Sequence, residues 1–262
     1  MIPAQRQQQI LTLIRSTGHV QVSSLAKSFG VSELTIRRDL KLLSDNGLLS
    51  RRFGGAVLEK TSRHEIDYSE KISEFREQKV AIGAKAAELV DEGDIIFVNG
   101  GSTTVSVIES LLKTNKKITI ITNNVDIIRF LNKDENATVI FTGGVFRAKS
   151  RSMSGSLSSP LMQNIWASKS FIGVDGFSIK HGLTFNVYEE SLTTQTMIER
   201  TNGKVYAVTA GNKINVVCNF KAVDVGRIDA VVTDGVGGQL LENEPFSPEI
   251  IVAEKKKKKN TW

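Results

Sequence analysis

The stretch VQVSSLAKSFGVSELTIRRDLKLLSDNGLLSRRFGGAV, residues 20–57, decides the N-terminal fold. Ser23 and Ser24 are good helix-capping types, and a short helix carrying Leu25, Ala26 and Phe29 is expected between them and Gly30. Ser32 is expected to cap a third helix, from Glu33 to about Asn46, that stops at Gly47. Upstream, residues 5–17 set Ile10, Leu13 and Ile14 at the spacing of one apolar helical face, and Gly18 ends that helix. Two short helices joined by a tight turn containing Gly make a helix-turn-helix pattern. On a wheel of about 100° per residue, Ile36, Leu40 and Leu43 fall together and face the core. Leu34, Arg38 and Lys41 point nearly opposite, with Thr35 and Arg37 on the flanks. Arg, Lys and hydroxyl groups are the types that meet base edges and phosphates in a major groove. Asp39 lies nearer the core, where a neighbouring cation is its expected partner. Beyond Gly47, two short apolar runs flank Gly54-Gly55, the pattern of a β-hairpin. Its Arg51 and Arg52 suit a phosphate backbone or a minor groove. Residues 1–58 therefore read as a winged helix-turn-helix, mainly α with a small β-hairpin. Its candidate DNA contacts are Ser32, Leu34, Thr35, Arg37, Arg38, Lys41, Arg51 and Arg52.

Charge distribution agrees with this division. The chain has 262 residues and a net charge of +6, a length that allows one or two domains. Residues 1–58 hold eight Arg and Lys against three acids, a net +5. Five lysines at 255–259 add another +5, which leaves −4 for the rest. A small basic module joined to a mildly acidic body implies polyanion binding at one end and another task in the body. Any anion site in the body then has to rely on local backbone N–H groups, not on bulk charge. With 40% hydrophobic residues the chain can bury a core, so disorder is excluded as its main state. One cysteine, Cys218, excludes an internal disulfide and a thiolate zinc site; set among Ile214, Val216, Val217 and Phe220, it reads as buried and inert. No metal spacing links His19, His64 and His181, so no metal is expected. No apolar run reaches about 18 residues and no secretory signal is read, so a cytoplasmic protein without a membrane contact is expected.

Residues 59–75 are dense in charge and poor in large aliphatics, which reads as a linker. From 76 to 254 strand and helix signals alternate, with strands near Ile95–Val98, Ile118–Ile121, Thr138–Phe141, Ser170–Val174, Val205–Thr209, Ile228–Thr233 and Ile250–Ala253. That alternation implies an α/β domain with a mostly parallel sheet, whose ligands sit at the carboxyl ends of the strands. The loop Asn99-Gly100-Gly101-Ser102-Thr103-Thr104 carries the clearest chemistry. Its glycines let N–H groups approach an anion, and hydroxyls follow at a helix N-terminus. It is not a nucleotide fingerprint, having neither G-x-G-x-x-G nor Gly-Lys-Ser/Thr. Trp166 reads either as core or as oligomer interface, and residues 255–262 as a Lys-rich tail.

The stretch quoted above, and Val31–Leu40 in particular, closely resembles the N-terminal signature of the DeoR family of bacterial transcription regulators. The match runs from Gln5 to Val57 without a gap, and the body resembles the family's sensor domain from Lys79 to about Asp234. The resemblance implies a C-terminal fold similar to ribose-5-phosphate isomerase. It implies that Ser102, Thr103 and Thr104, with Asn99, Gly100 and Gly101, cradle the phosphate of a sugar-phosphate effector. It also implies effector-facing roles for Thr122, Asn123, Gly143, Gly144, Arg147 and Asp175. His181-Gly182-Leu183-Thr184 and Glu190 fall where the related isomerases keep catalytic or sugar-contacting groups, and Lys213 falls where the family has an Asp-Ser-Ser-Lys run. Two departures stand out. That run reads Ala210-Gly211-Asn212-Lys213 here, and Asn99 stands where the family commonly has Asp. Both remove a carboxylate that proton transfer would need. The resemblance thus implies a homodimeric or homotetrameric repressor of a carbohydrate operon, released from its double-stranded DNA operator by a phosphorylated sugar. It implies no enzyme activity and no cofactor. The competing readings are a phosphosugar isomerase with a DNA-binding appendage and a constitutive DNA binder without effector.

Overall fold

A computed structural model of the chain describes residues 2–17, 19–45, 49–57, 60–61, 65, 67–131, 136–242, 244 and 248–254. Gly18, Gly47, His64 and the Lys-rich tail lie outside the described residues. The chain divides into two units, Met1–Thr61 and Ser62–Trp262.

The first unit runs α1 (Pro3–Thr17), β1 (His19–Gln21), α2 (Val22–Phe29), α3 (Glu33–Asp45), β2 (Ser50–Arg52), β3 (Gly55–Val57) and β4 (Lys60–Thr61). β1, β3 and β2 form an antiparallel sheet in that order. Ile10, Leu11, Ile14, Leu25, Ile36, Leu40 and Leu43 share one core with Val20 and Ala56 of the sheet and with Leu49, which precedes β2. Leu11 takes the inward place expected of Leu13, which is 39% exposed. Gly30 ends α2 in the left-handed conformation (φ 63°), and Ser32 Oγ caps α3 by accepting from Thr35 N at 3.2 Å. The cap of α2 differs from expectation. The helix begins at Val22, with extended Gln21 at the cap position and no side-chain cap bond. β1 leads straight into the helix, and Val22 N donates to Gly54 O at 2.8 Å, so the hairpin does the work expected of Ser23 or Ser24.

The second unit runs α4 (Tyr68–Ser73), α5 (Arg76–Glu88), β5 (Ile95–Val98), α6 (Ser102–Leu112), β6 (Ile118–Thr122), a 3₁₀ turn at Val125–Phe130, and β7 (Ala137–Phe141). It continues with β8 (Val145–Arg147), β9 (Ser152–Ser154), α7 (Ser159–Gln163), β10 (Ala167–Ile172), β11 (Gly176–Ser178), β12 (Gly182–Phe185), α8 (Tyr188–Glu199) and β13 (Thr201–Val208). A 3₁₀ turn at Gly211–Lys213 precedes β14 (Val216–Val217), β15 (Phe220–Val223), β16 (Ala230–Asp234), α9 (Gly235–Glu242) and β17 (Glu249–Ala253). Seven of these strands form one parallel sheet in the order β17-β16-β13-β10-β5-β6-β7, and they are the seven expected from sequence. Ile96, Phe97 and Val98, like Ser170, Phe171 and Ile172, are buried in succession, so both sheet faces are covered. Two features escaped the sequence reading: the β8–β9 hairpin and a small antiparallel sheet, β11-β12-β15. The segment expected as linker is not linker throughout. Asp67 caps α4 by accepting from Ser69 N at 2.9 Å. Tyr68 is buried and donates its hydroxyl to Asp126 Oδ2 at 2.9 Å. α4 belongs to the second unit because this aromatic and its hydrogen bond are built into that unit's core.

Candidate functional site

In the first unit, α3 presents the polar face that its periodicity implies. Leu34, Arg37, Arg38 and Lys41 are exposed, Thr35 is half-buried, and Ile36 and Leu40 point into the core. Arg37 Nη2 reaches back to Glu33 Oε2 at 3.2 Å, whereas the Ser32 and Thr35 hydroxyls meet each other at 2.9 Å. Asp39 faces inward as expected. Its Oδ2 accepts from Arg6 Nε at 2.6 Å and its Oδ1 from Gln7 Nε2 at 2.9 Å. That pair locks α1 to α3 and fixes the angle at which the polar face is shown. Arg51 is exposed on β2 and Arg52 half-buried beside it.

In the second unit the sheet order reverses between β5 and β10. β6 and β7 extend the sheet on one side, and β13, β16 and β17 on the other. A crevice at the carboxyl ends of the strands is expected at such a switch point. A cleft of about 710 Å³, including its open mouth, lies there, bounded by the loops after β5 and β10. Gly100, Gly101, Ser102 and Thr103 form one wall, with Gly101 as N-cap of α6 at φ 154°. Their N–H groups open the helix, the geometry that favours an anion. Asp175, Glu190 and Lys213 form the other side.

Of the remaining candidates, several hold the frame and do not line the cleft. Asn99 Nδ2 donates to Gly173 O at 2.9 Å and to Thr194 Oγ1 at 3.0 Å, and Gly173 N donates to Asn99 Oδ1 at 2.8 Å. This amide uses donors and acceptor together to clamp the two loops across the switch point, a task a carboxylate cannot perform alone. Thr104 Oγ1 donates to Gly101 O at 2.9 Å and Thr122 Oγ1 accepts from Asn124 N at 3.1 Å, so both hydroxyls are spent on their own loops. Asn123 donates to Met153 O at 2.9 Å, anchoring β9 behind Gly100. Gly143 O accepts from Ser158 Oγ at 2.7 Å, and Gly144 packs against Ser158 and Ser154. Gly182 opens β12 with Val223 at its back. Arg147 stands behind Glu190, with Nη2 on Glu65 Oε2 at 2.9 Å and Nε 3.9 Å from Glu190 Oε1.

Of the three cations at the cleft, the sequence reading named Lys213 and missed Lys71 and Lys79. Lys71 on α4 donates to Asp175 Oδ1 at 2.7 Å, nearly out of solvent. Lys79 on α5 also lines the cleft, donating to Glu74 O at 2.7 Å and to Lys71 O. Lys213 donates its backbone N–H to Ala210 O at 3.0 Å, but its ammonium has no hydrogen-bond or ion-pair partner among the described residues. The cleft therefore does not depend on backbone N–H groups alone: buried Lys79 and half-buried Lys71 and Lys213 converge in a body that carries −4 apart from its Lys-rich tail. Burial pushes Lys79 down to about 8, and Lys213 facing it adds to the shift. Burial lowers Lys213 as well, despite Asp175. Asp175 is held below the usual carboxylate range: burial opposes this, but Lys71 and the Asn186 N–H outweigh it. Burial raises Glu190, with the Asp175 charge adding to it. The cleft thus offers cations and N–H donors for a phosphate, and two unlike carboxyls for hydroxyl groups. Elsewhere, Cys218 is buried and its thiol pushed up to about 11 by burial, the inert state expected. Trp166 is half exposed, with Arg200 4.8 Å over its ring.

No helix among the described residues is long and apolar enough to cross a membrane. Residues 6–62 match the family model of the DeoR-like helix-turn-helix domain, and residues 74–235 that of the DeoR C-terminal sensor domain. The HTH-type transcriptional regulator GolR of Listeria innocua is 32% identical over 89% of this chain and 91% of its own. A putative aga operon transcriptional repressor of Escherichia coli O157:H7 is 28% identical over 91% of this chain and 89% of its own. Among solved structures, ribose 5-phosphate isomerase A of Neisseria gonorrhoeae is similar over 52% of each chain, at 19% identity and a TM-score of 0.36. With both family models matched in order and a relative of this identity along nearly its whole length, the chain belongs to the DeoR family of transcriptional regulators.

Proposed function

We propose that this regulator is a cytoplasmic repressor, acting as a homodimer or homotetramer, that a phosphorylated sugar releases from its operator. The observation that carries this reading is the cleft at the switch point of the sensor domain. There the N-terminal loop of α6 faces Lys79 and Lys213 across a space lined by Asp175 and Glu190. A phosphate dianion fits the first set of groups and sugar hydroxyls the second. The signal leaves through α4. Lys71 reaches from α4 to Asp175, and the chain preceding α4 leads to the DNA-binding unit. A ligand that engages Asp175 competes with Lys71 and loosens the hold on α4, the strap between the cleft and the chain that leads to the DNA-binding unit. The enzyme alternative is disfavoured by Asn99, whose amide is committed to the clamp, and by Ala210 on the opposite wall.

The test has two arms on the full chain and its own upstream operator. Arg38→Ala weakens operator binding by about 1–3 kcal/mol if Arg38 reads a base edge. Thr103→Ala keeps operator affinity but blunts release by the sugar phosphate, identified by a thermal-shift screen in which a binder raises the melting temperature by mass action. Full operator affinity in the first variant, or an unaltered release curve in the second, contradicts the assignment.

The lysines add a pH signature. Lys79 sits at about 8 in the free protein, and a bound anion draws its proton back. The second ionisation of a phosphate monoester lies near pH 6, so the ligand stays a dianion above pH 7. Affinity for the sugar phosphate therefore falls as pH rises through 8, approaching about tenfold per unit at its steepest. Calorimetric titration between pH 7 and 9 checks this, and Lys79→Met is expected to lower the affinity and flatten the profile.

A further inference from the structure

The tip of the wing carries a side chain that the fold does not use. Arg52 pairs with Gly55, so the turn consists of Phe53 and Gly54, and not of the two glycines. Gly54 has φ 79° while Phe53 keeps a negative φ, the pattern of a type II turn, which makes a demand on Gly54 and none on Phe53. Gly55 is fixed as well, because a Cβ there would stand 2.1 Å from Val20 O. The tip is rigid, since Gly54 O accepts from Val22 N at the start of α2. On it the Phe53 ring is 99% exposed, more than any other large hydrophobic side chain among the described residues. Turn positions of this kind ordinarily hold polar residues, and an apolar ring held wholly in water gains nothing for the folded unit.

We infer that Phe53 is a DNA-contacting residue: the wing tip presses its ring into the minor groove beside the major-groove site of α3. The surroundings commit it to this partner. Arg51 and Arg52 precede it on β2, and the exposed Arg38 and Lys41 lie on α3 of the same unit. That is a cationic frame which a duplex complements and a second apolar surface does not. Rigid apolar wedges, Phe among them, enter minor grooves by partly unstacking a base step, and the flexible pyrimidine–purine steps yield most readily. The ring would then add contact area without adding a phosphate contact. It would also favour a flexible step in the operator next to the sequence that α3 reads. This rests on the DNA-binding role of the unit and is independent of the effector.

The test uses the full chain with its operator over a range of salt concentrations. Phe53→Ala is expected to bind roughly 5- to 150-fold more weakly, the range for loss of an aromatic contact with a base. The slope of log affinity against log salt should stay unchanged, because no cation is removed; Arg51→Ala should lower that slope by about one. Phe53→Trp should retain affinity. The thermal unfolding of Phe53→Ala should match the parent, since the ring packs against no core. Operator affinity of Phe53→Ala equal to the parent's overturns the inference. So does a loss accompanied by a smaller oligomer in sedimentation, because the ring would then serve contact between copies. Arg38→Ala in the same assay separates this failure from failure of the DNA-binding assignment, which would leave both variants unaffected.

Discussion

Asp39→Ala unfolds the DNA-binding unit and leaves the sensor unit folded and able to bind its ligand. Asp39 sits within the most family-like run of the chain, Ile36-Arg37-Arg38-Asp39-Leu40, yet it faces the interior of its unit. It is 5% exposed, and Arg6, 6% exposed, donates to it at 2.6 Å. Removing one member of such a pair leaves the other charge buried without compensation, which costs about 3–5 kcal/mol. A unit of this size has a stability on the order of 5 kcal/mol, so the loss consumes most of it. Two-probe urea unfolding should show the early, helix-rich transition of the first unit displaced to the lowest denaturant concentrations. The later transition should keep its ligand-dependent shift. Arg6→Met combined with Asp39→Leu removes both charges and should recover most of the loss, a non-additivity that a DNA-contact role would not produce. Normal unfolding of Asp39→Ala with lost operator affinity would instead make Asp39 part of the reading face.

Asp39 also shows what the sequence made legible. Its inward position followed from helical periodicity, because the angle between Ile36, Leu40 and Asp39 on a wheel does not depend on the rest of the fold. The central strands were legible for a related reason: a strand buried on both faces reads as a short unbroken apolar run, and the partly buried edge strands β7 and β17 carry similar runs. The cap of α2 was not, since the group that satisfies Val22 N is a carbonyl of a hairpin residue 32 positions later. Among the residues that line the cleft, residue types at a loop end pointed to the α6 loop, whereas Asp175, Glu190 and Lys213 came from the family resemblance. They failed for Lys71 and Lys79, which sit in a charge-dense run where nothing local separates a buried lysine from a solvated one. They did not separate Asn99 and Thr104, which hold the loop and do not line the cleft, from their neighbours that do, because two such polar side chains look alike in sequence. Only the partners at 2.8–3.0 Å distinguish them.

Lys71→Met should uncouple the two units: the sugar phosphate still binds, but operator affinity no longer falls when it does. Beside the bonds that Lys79 makes to Lys71 O and Glu74 O, the strap formed by α4 donates three hydrogen bonds of its own. Tyr68 N donates to Lys149 O at 3.0 Å, Tyr68 Oη to Asp126 at 2.9 Å, and Lys71 Nζ to Asp175 at 2.7 Å. Of these three acceptors only Asp175 lines the cleft, so it is the one a ligand can contest. At the other end, Phe75 joins α4 to α5 with φ 52° and ψ 35°, a left-handed conformation that costs a non-glycine residue about 1 kcal/mol or more. Such strain persists while its surroundings hold it, and releasing Lys71 removes part of that hold. A coupling of about 1–3 kcal/mol corresponds to a 5- to 150-fold drop in operator affinity at saturating effector, and this ratio is the quantity to measure. Saturation is established separately, from the thermal shift, so that weaker effector binding is not mistaken for lost coupling. Because Lys71→Met leaves Asp175 buried and unpaired, Lys71→Met with Asp175→Asn serves as the second variant, with the charge removed from both partners. A wild-type ratio at saturation in either variant rules out the strap as the route of the signal, whereas a ratio near one in both places the switch at the Lys71–Asp175 pair.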